Sequence, residues 1–235
     1  MELIVLNSNS SGNCYLFKSK DEVLVLEAGV KFIEVQKSLR FNIRNIKGVL
    51  CSHHHGDHFK YASDFAKFMI PVYCSKETSE KAKFKTINFD NLKSFKVGKF
   101  SIIPFDVEHD CPGTYGFVII HEECGHILFA TDTYYLKYNF PNIEHMLMEA
   151  NYSSDLLNER FNTGEIEQRH RDRVMKSHMS LSTCKMVVEN HKEHLKNLIL
   201  IHLSSGNSNE KRFIQEFDYL NIPVHVAKKG LNLIL

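Results

Sequence analysis

The sequence predicts an α/β sandwich built on mixed β-sheets. Three observations carry that expectation. Short β-rich runs open the chain, hairpin-like segments fill residues 95–131, and strand–helix alternation takes up most of the rest. In order, "ELIVL", "CYLFK" and "EVLVLEA" read as strands and "VKFIEVQKSL" as a helix. The apolar run "IKGVLCS" reads as a buried strand leading straight into a histidine cluster. "HFKYASDFAKFM" looks helical and "PVYCS" is a short strand. "FSIIPFDVEH", "YGFVIIH" and "HILFAT", separated by glycine-containing turns, read as hairpin strands. Then come the strand "HMLMEA", helices in "SSDLLNERF" and "LSTCKMVVENHKEH", the strand "LILIHLS", the helix "SNEKRFIQEF" and the strand "PVHVA". With no repeat, low-complexity tract or proline- or serine-rich linker, residues 1–235 read as a single domain.

Composition narrows the class. A hydrophobic content of 43% over 235 residues can bury a substantial core without disulfides. The six cysteines are scattered with no C-x-x-C pair, which suits a reduced, cytoplasmic protein and argues against a cysteine zinc site. No apolar stretch is long enough to span a bilayer, so a soluble protein is expected. With 29 basic against 28 acidic residues, there is no global basic excess of the kind used to grip long nucleic acid.

The chemistry concentrates in "CSHHHGDHF", residues 51–59. Strand alternation would put His53 and His55 on one side and His54 on the other. Gly56 would allow a sharp turn that returns Asp57 and His58 to that side. Imidazoles and carboxylates are ligands for zinc, manganese or iron. One cluster holds too few ligands for two metals, so partners are sought at other strand ends. His109 closes "SIIPFDVEH", Asp132 follows "ILFAT", and His202 sits in "LILIHLS". Alone, each would more often be a hydrogen-bonded loop residue.

H-x-H-x-D-H at 53–58, with His109, Asp132 and His202 downstream, resembles the metallo-β-lactamase superfamily over nearly the whole chain. The resemblance implies a four-layer αββα sandwich with two mixed sheets and a dinuclear site at one edge. It implies that His53, His55 and His109 hold one divalent ion and Asp57, His58 and His202 the other. Asp132 would bridge and His54 would not ligate. The ions would be zinc, with manganese as the alternative. "NSNSSGNCYLF" and "HLSSGNSNE" resemble the YycJ/WalJ-type members, and "MEAN" followed by "SHMS" resembles the tRNase Z-like phosphodiesterases. That match implies that Glu149 orients His178, which protonates the leaving oxygen; with Asp57 they form the catalytic set.

The physical logic agrees. Two metal ions about 3.5–4 Å apart activate water and stabilise an in-line displacement at phosphorus, but deliver no proton to the departing alkoxide. A carboxylate-held histidine can, for about 10²–10⁴-fold. A plain strand-end glutamate and helix-terminal histidine are the alternative. Glu27 stands where superfamily members commonly carry aspartate, which puts the orientation of a ligand histidine in doubt.

A phosphodiesterase acting on a nucleotide or nucleic acid is therefore expected, by cyclic-nucleotide or exonuclease-type cleavage. Thioester or lactone hydrolysis is the rival reaction. Arg169, Arg171, Arg173 and Lys176 could meet phosphates, though a solvated face is the plainer reading. Tyr134 or Tyr135 could stack a base. His191 and His194 suit a helix C-terminus, and His121 and His126 flank a turn and read as surface residues. Ser10, Ser11 and Asn13 form a turn-prone loop that the resemblance places near the metals. The polar segment 156–177 is long for a connection, and suggests a homodimer in which it covers an active site.

Overall fold

Two seven-stranded mixed sheets form the centre of the computed structural model, which describes residues 1–235. The first contains β1 (Glu2–Asn9), β2 (Gly12–Lys18), β3 (Val23–Leu26), β4 (Ile46–Leu50), β5 (Val72–Cys74) and β6 (Ile87–Asn88). Strands β1–β3 pair antiparallel and β3–β6 parallel. Helices α1 (Phe32–Ser38), α2 (Gly56–Phe59), α3 (Ala62–Lys67) and α4 (Lys76–Ser79) lie between its later strands in the chain.

The second sheet contains β7 (Phe95–Val97), β8 (Phe100–Asp106), β9 (Tyr115–His121), β10 (Gly125–Ala130), β11 (His145–Glu149), β12 (Asn197–Ile201) and β13 (Val224–Val226). The hairpin strands β7–β10 are antiparallel, as their glycine turns predict, and β10–β13 are parallel. Helices α5 (Ser154–Asn162), α6 (Gln168–Ser177) and α7 (Leu181–His191) join β11 to β12, and α8 (Glu210–Gln215) joins β12 to β13. Finally β14 (Asn232–Ile234) returns to pair antiparallel with β1.

Three apolar layers hold this αββα arrangement together. Leu3, Phe17, Leu26, Phe117, Phe129 and Ile201 belong to the layer contributed by both sheets. Outside the first sheet, Phe32, Val35 and Phe65 of α1 and α3 pack on Leu16, Val25 and Val49. Outside the second, Leu181, Cys184 and Val188 of α7 and Phe213 of α8 pack on Met146, Met148 and Leu200. The face alternation of the strands makes this possible, since each strand feeds two layers at once. No helix is long and apolar enough to cross a membrane, and all six cysteines are unpaired and buried.

Three expectations change. "HFKYASDFAKFM" is not one helix but two, because the Tyr61 amide donates to the Ala28 carbonyl instead of continuing the helical ladder. His121 is buried, its Nδ1 accepting from the Glu123 amide at 3.1 Å and its ring tilted against Phe100. Segment 156–177 is no open connection: it holds most of α5 and all of α6, helices that pack together through Leu157 and Val174.

Candidate metal centre

The site lies where several strands end. Glu27 follows β3, Asp132 follows β10 by two residues, Glu149 ends β11 and His202 follows β12. Three of these turn the chain through left-handed backbone: Glu27 at φ 64°, Asp132 at 50° and His202 at 54°. Non-glycine residues there cost about 1–3 kcal/mol each and collect at functional sites. Packing on both sheet faces supplies the rigidity that holds them.

Two groups of ligand-type side chains meet at Asp132. His53, His55, His109 and Asp132 place ligand atoms within 4.8 Å of one another, as do Asp57, His58, Asp132 and His202. Asp132 Oδ2 is 3.5 Å from His53 Nε2 and 3.2 Å from His58 Nε2, and Oδ1 is 3.0 Å from His202 Nδ1. On the first side, His109 Nε2 is 3.3 Å from His55 Nδ1. On the second, Asp57 Oδ2 is 3.2 Å from His58 Nε2 and 3.4 Å from His202 Nε2.

Neighbouring groups hold the rings in place. Ser52 Oγ is 2.9 Å from His53 Nδ1, and the Ser177 carbonyl at the end of α6 accepts from His109 Nδ1 at 2.9 Å. Glu27 Oε2 faces His58 Nδ1 at 3.3 Å, while its carboxylate accepts from the Ser52 amide. The longer side chain, expected to put that orientation in doubt, thus still reaches His58. Such partners set ring orientation and tautomer.

The residues fit two divalent cations. His53 Nε2 is fully buried with no hydrogen-bond partner, although it points at Asp132. Glu27, Asp57, Asp132 and Glu149 converge here, and their ion-pair partners are all histidines. Burial opposes charge on His202, yet Asp132, Asp57 and Glu149 push its pKa up to about 10. Burial likewise works against His58, which Asp132 and Glu27 nonetheless carry well above the ordinary imidazole value. Burial would raise the Asp132 pKa, but His202 and His58 hold it well below the usual carboxylate range. His53 goes the other way, lowered well below the ordinary imidazole value by burial and by His58. A centre that draws protons this strongly is one that cations would satisfy.

The model of the Beta-lactamase superfamily domain matches residues 24–202. The chain belongs to that superfamily. It is 25% identical over 171 residues to "Exodeoxyribonuclease YycJ" of Bacillus anthracis, covering 65% of this chain and 64% of that protein. It is 22% identical over 250 aligned positions to "Exodeoxyribonuclease WalJ" of Streptococcus pneumoniae, covering 97% of this chain and 89% of that one. Among solved structures, the metallo-β-lactamase fold protein YhfI of Bacillus subtilis superposes with a TM-score of 0.77 at 18% identity, over 99% of this chain and 98% of that one.

Beside these two groups stands a third. His178 Nδ1 is 2.7 Å from Glu149 Oε1, which also lies 3.0 Å from His202 Nδ1. Glu149 Oε2 accepts from the Thr133 and Met179 amides at 3.0 and 3.1 Å, so both oxygens are fixed. His178 caps the C-terminus of α6, and the segment after it runs beside the residues that follow β11, bridged at Tyr152 and Ser180. Ser180 then caps α7 by accepting from the Thr183 amide. Burial disfavours charge on His178, but Glu149 raises its pKa.

A cavity of about 240 Å³ opens onto both groups, lined by Ser10, His55, Asp57, His109, Asp132, His178 and His202, with His170, Arg173, Val174 and Ser177 from α6. Segment 156–177 therefore supplies one wall of this cavity through α6. Ser10 reaches this cavity, and Asn13 Nδ2 lies 3.1 Å from His58 Nε2. His54 turns away to Cys111 Sγ at 3.2 Å. Tyr134 and Tyr135 are exposed and do not line the cavity. His191 is buried, its Nδ1 donating to the Val187 carbonyl and its Nε2 accepting from the Phe140 amide.

The histidines assemble differently from the sequence expectation. β4 stops at Leu50, so His53 and His55 meet through a loop rather than by strand alternation. Gly56 simply starts α2, and a Cβ there would meet nothing within 4 Å. The glycine that the turn needs is Gly29, where a Cβ would stand 1.7 Å from the Asp57 carbonyl oxygen. Asp110 was not foreseen either. It lies 3.1 Å from His109 Nε2 and 3.1 Å from Arg173 Nε, and its only sequence signal is adjacency to His109.

Proposed function

We propose that residues 1–235 act as one metal-dependent phosphodiesterase domain that cleaves a phosphodiester bond in a nucleic acid. His53, His55 and His109 would hold one divalent ion, Asp57, His58 and His202 a second, and Asp132 both. The nitrogen–oxygen donor set suits zinc. Two such ions supply water activation and charge stabilisation at phosphorus. Asp57, whose carboxylate lines the cavity, orients the attacking water.

The observation that carries the reading is the Glu149–His178 pair. With Nδ1 donating to Glu149 at 2.7 Å, His178 keeps Nε2 free to pass a proton to an oxygen in the cavity. A departing sugar alkoxide needs that proton. A thioester or lactone hydrolase has no need of this fixed donor. The exodeoxyribonuclease names of the two relatives support a nucleic-acid substrate over a cyclic nucleotide.

The test compares leaving groups. His178→Ala should retain its metal and lose about 10²–10⁴-fold in kcat/KM on a deoxyoligonucleotide, but far less on bis-p-nitrophenyl phosphate, whose phenolate leaves unaided. Glu149→Gln should show the same pattern more mildly. Equal losses on both substrates would remove His178 as the acid. Near-normal activity on both would do the same, and a wild-type protein that hydrolyses a thioester but neither diester would favour the thioesterase reading.

A further inference from the structure

The 240 Å³ cavity is smaller than the ~300–1,000 Å³ of pockets that enclose a whole small ligand. A substrate cut there must extend past its rim, and one rim is α6. Val174 and Ser177 of α6 are buried, while His170 and Arg173 face the cavity from an exposed position. Arg169, Arg173 and Lys176 are spaced i, i+4 and i+7, so they form one stripe along the helix. Arg173 belongs to both the stripe and the cavity wall, which makes the two surfaces continuous.

The ion pairing of the segment leaves this stripe available. Arg171 is taken up by Asp172 and Asn158, and Arg173 is aimed by Asp110, 3.1 Å from its Nε. Arg169 and Lys176 are exposed and carry no such partner. At 1.5 Å of rise per residue they stand about 10 Å apart along the axis with Arg173 between them, a span that covers a short run of phosphates of one strand.

We infer that the Arg169–Arg173–Lys176 stripe of α6 is a phosphate-backbone site that leads a single nucleic-acid strand into the metal cavity. The inference rests on the phosphodiesterase reading and adds the path that the strand takes. It also accommodates the near-neutral net charge of +1, because a strand end is held by a few contacts rather than by a basic surface. Three contacts imply a slope of log affinity against log salt of about −2 on single-stranded DNA.

The experiment measures anisotropy of a fluorescein-labelled single-stranded deoxyoligonucleotide on metal-free protein in EDTA, across a salt series. Bis-p-nitrophenyl phosphate hydrolysis by the metal-loaded protein reports the centre separately. The double variant Arg169→Gln/Lys176→Gln should bind about tenfold or more weakly at 0.1 M salt, with the slope reduced by about 1.4. Lys18→Gln/Lys99→Gln removes the same charge from the first sheet and a distant hairpin, and should leave affinity and slope unchanged. Unaltered binding in the α6 variant, an equal loss in the control variant, or no binding by the wild type would overturn the site. Wild-type protein that binds the strand in this way but hydrolyses neither diester would overturn the phosphodiesterase reading and leave the stripe standing.

Discussion

The two ends of the parallel strands β11 and β12 treat histidine in opposite ways. At their C-terminal ends, His202 is 3% exposed and surrounded by Asp132, Asp57 and Glu149, which push its pKa up to about 10. At their N-terminal ends, His145 is 2% exposed with Asn197 Nδ2 at 3.0 Å from its Nδ1, and the nearby Glu144 carboxylate is paired with Lys196, so burial lowers its pKa to about 4. Equal burial thus goes with opposite pKa shifts. What separates a candidate ligand from a core histidine is the company of several carboxylates without a lysine or arginine partner, and the left-handed turns at Asp132 and His202 help to assemble that company at the C-terminal ends. Open α/β sheets place ligands at the same ends.

Removing the shared carboxylate should break the C-terminal end most. Asp132→Ala should lower bound metal and abolish detectable hydrolysis, since this residue touches His53, His58 and His202 together. His54→Ala should keep both metal and activity, because its ring is turned to Cys111. Metal analysis by mass spectrometry alongside diester hydrolysis checks both. Full occupancy in Asp132→Ala, or a dead His54→Ala enzyme, would contradict the ligand assignment.

A smaller effect should follow from Glu27, which sharpens the comparison by changing charge without changing size. Its Oε2 is 3.3 Å from His58 Nδ1, which has no hydrogen-bond partner in the structure. Glu27→Gln should weaken metal binding by about 10–100-fold, the usual loss when a ligand's carboxylate partner goes. Competition with a chelating dye measures it. An unchanged affinity would reduce Glu27 to a strand-end residue that caps the Ser52 amide.

These contrasts show what the sequence could reveal. The convergence of His53, His55, Asp57, His58, His109, Asp132 and His202 was legible from the H-x-H-x-D-H spacing and from ligand-type residues that follow apolar runs, since strand ends gather in a sandwich. The Glu149–His178 pair was legible by resemblance, since 29 residues separate the two and no local pattern joins them. Gly29 was not legible. Its need arises from the Asp57 backbone, which comes close only after folding. For the same reason α6 read as a solvated segment: its polar outer face dominates the composition, while only Val174 and Ser177 are buried. His121 was misplaced because a turn position says little about burial once Phe100 and Glu22 pack over it.

The smallest expected effect lies at the opposite end and tests whether His145 really is the neutral counterpart. Its folded pKa of about 4 lies below the ordinary 6.5, so the unfolded chain binds the extra proton first as pH falls. Stability from this residue is complete above about pH 6.5 and is lost progressively as pH falls toward 4. His145→Gln cannot take that proton, so its unfolding free energy should fall less between pH 7 and pH 4.5, by roughly 1–2 kcal/mol. Urea unfolding of metal-free protein in EDTA provides the comparison. Protonation of the C-terminal cluster contributes equally to both proteins and cancels in the difference. If wild type and variant lose stability in parallel, the Asn197 partnership already accommodates an imidazolium. The two ends would then differ in ligand geometry but not in charge.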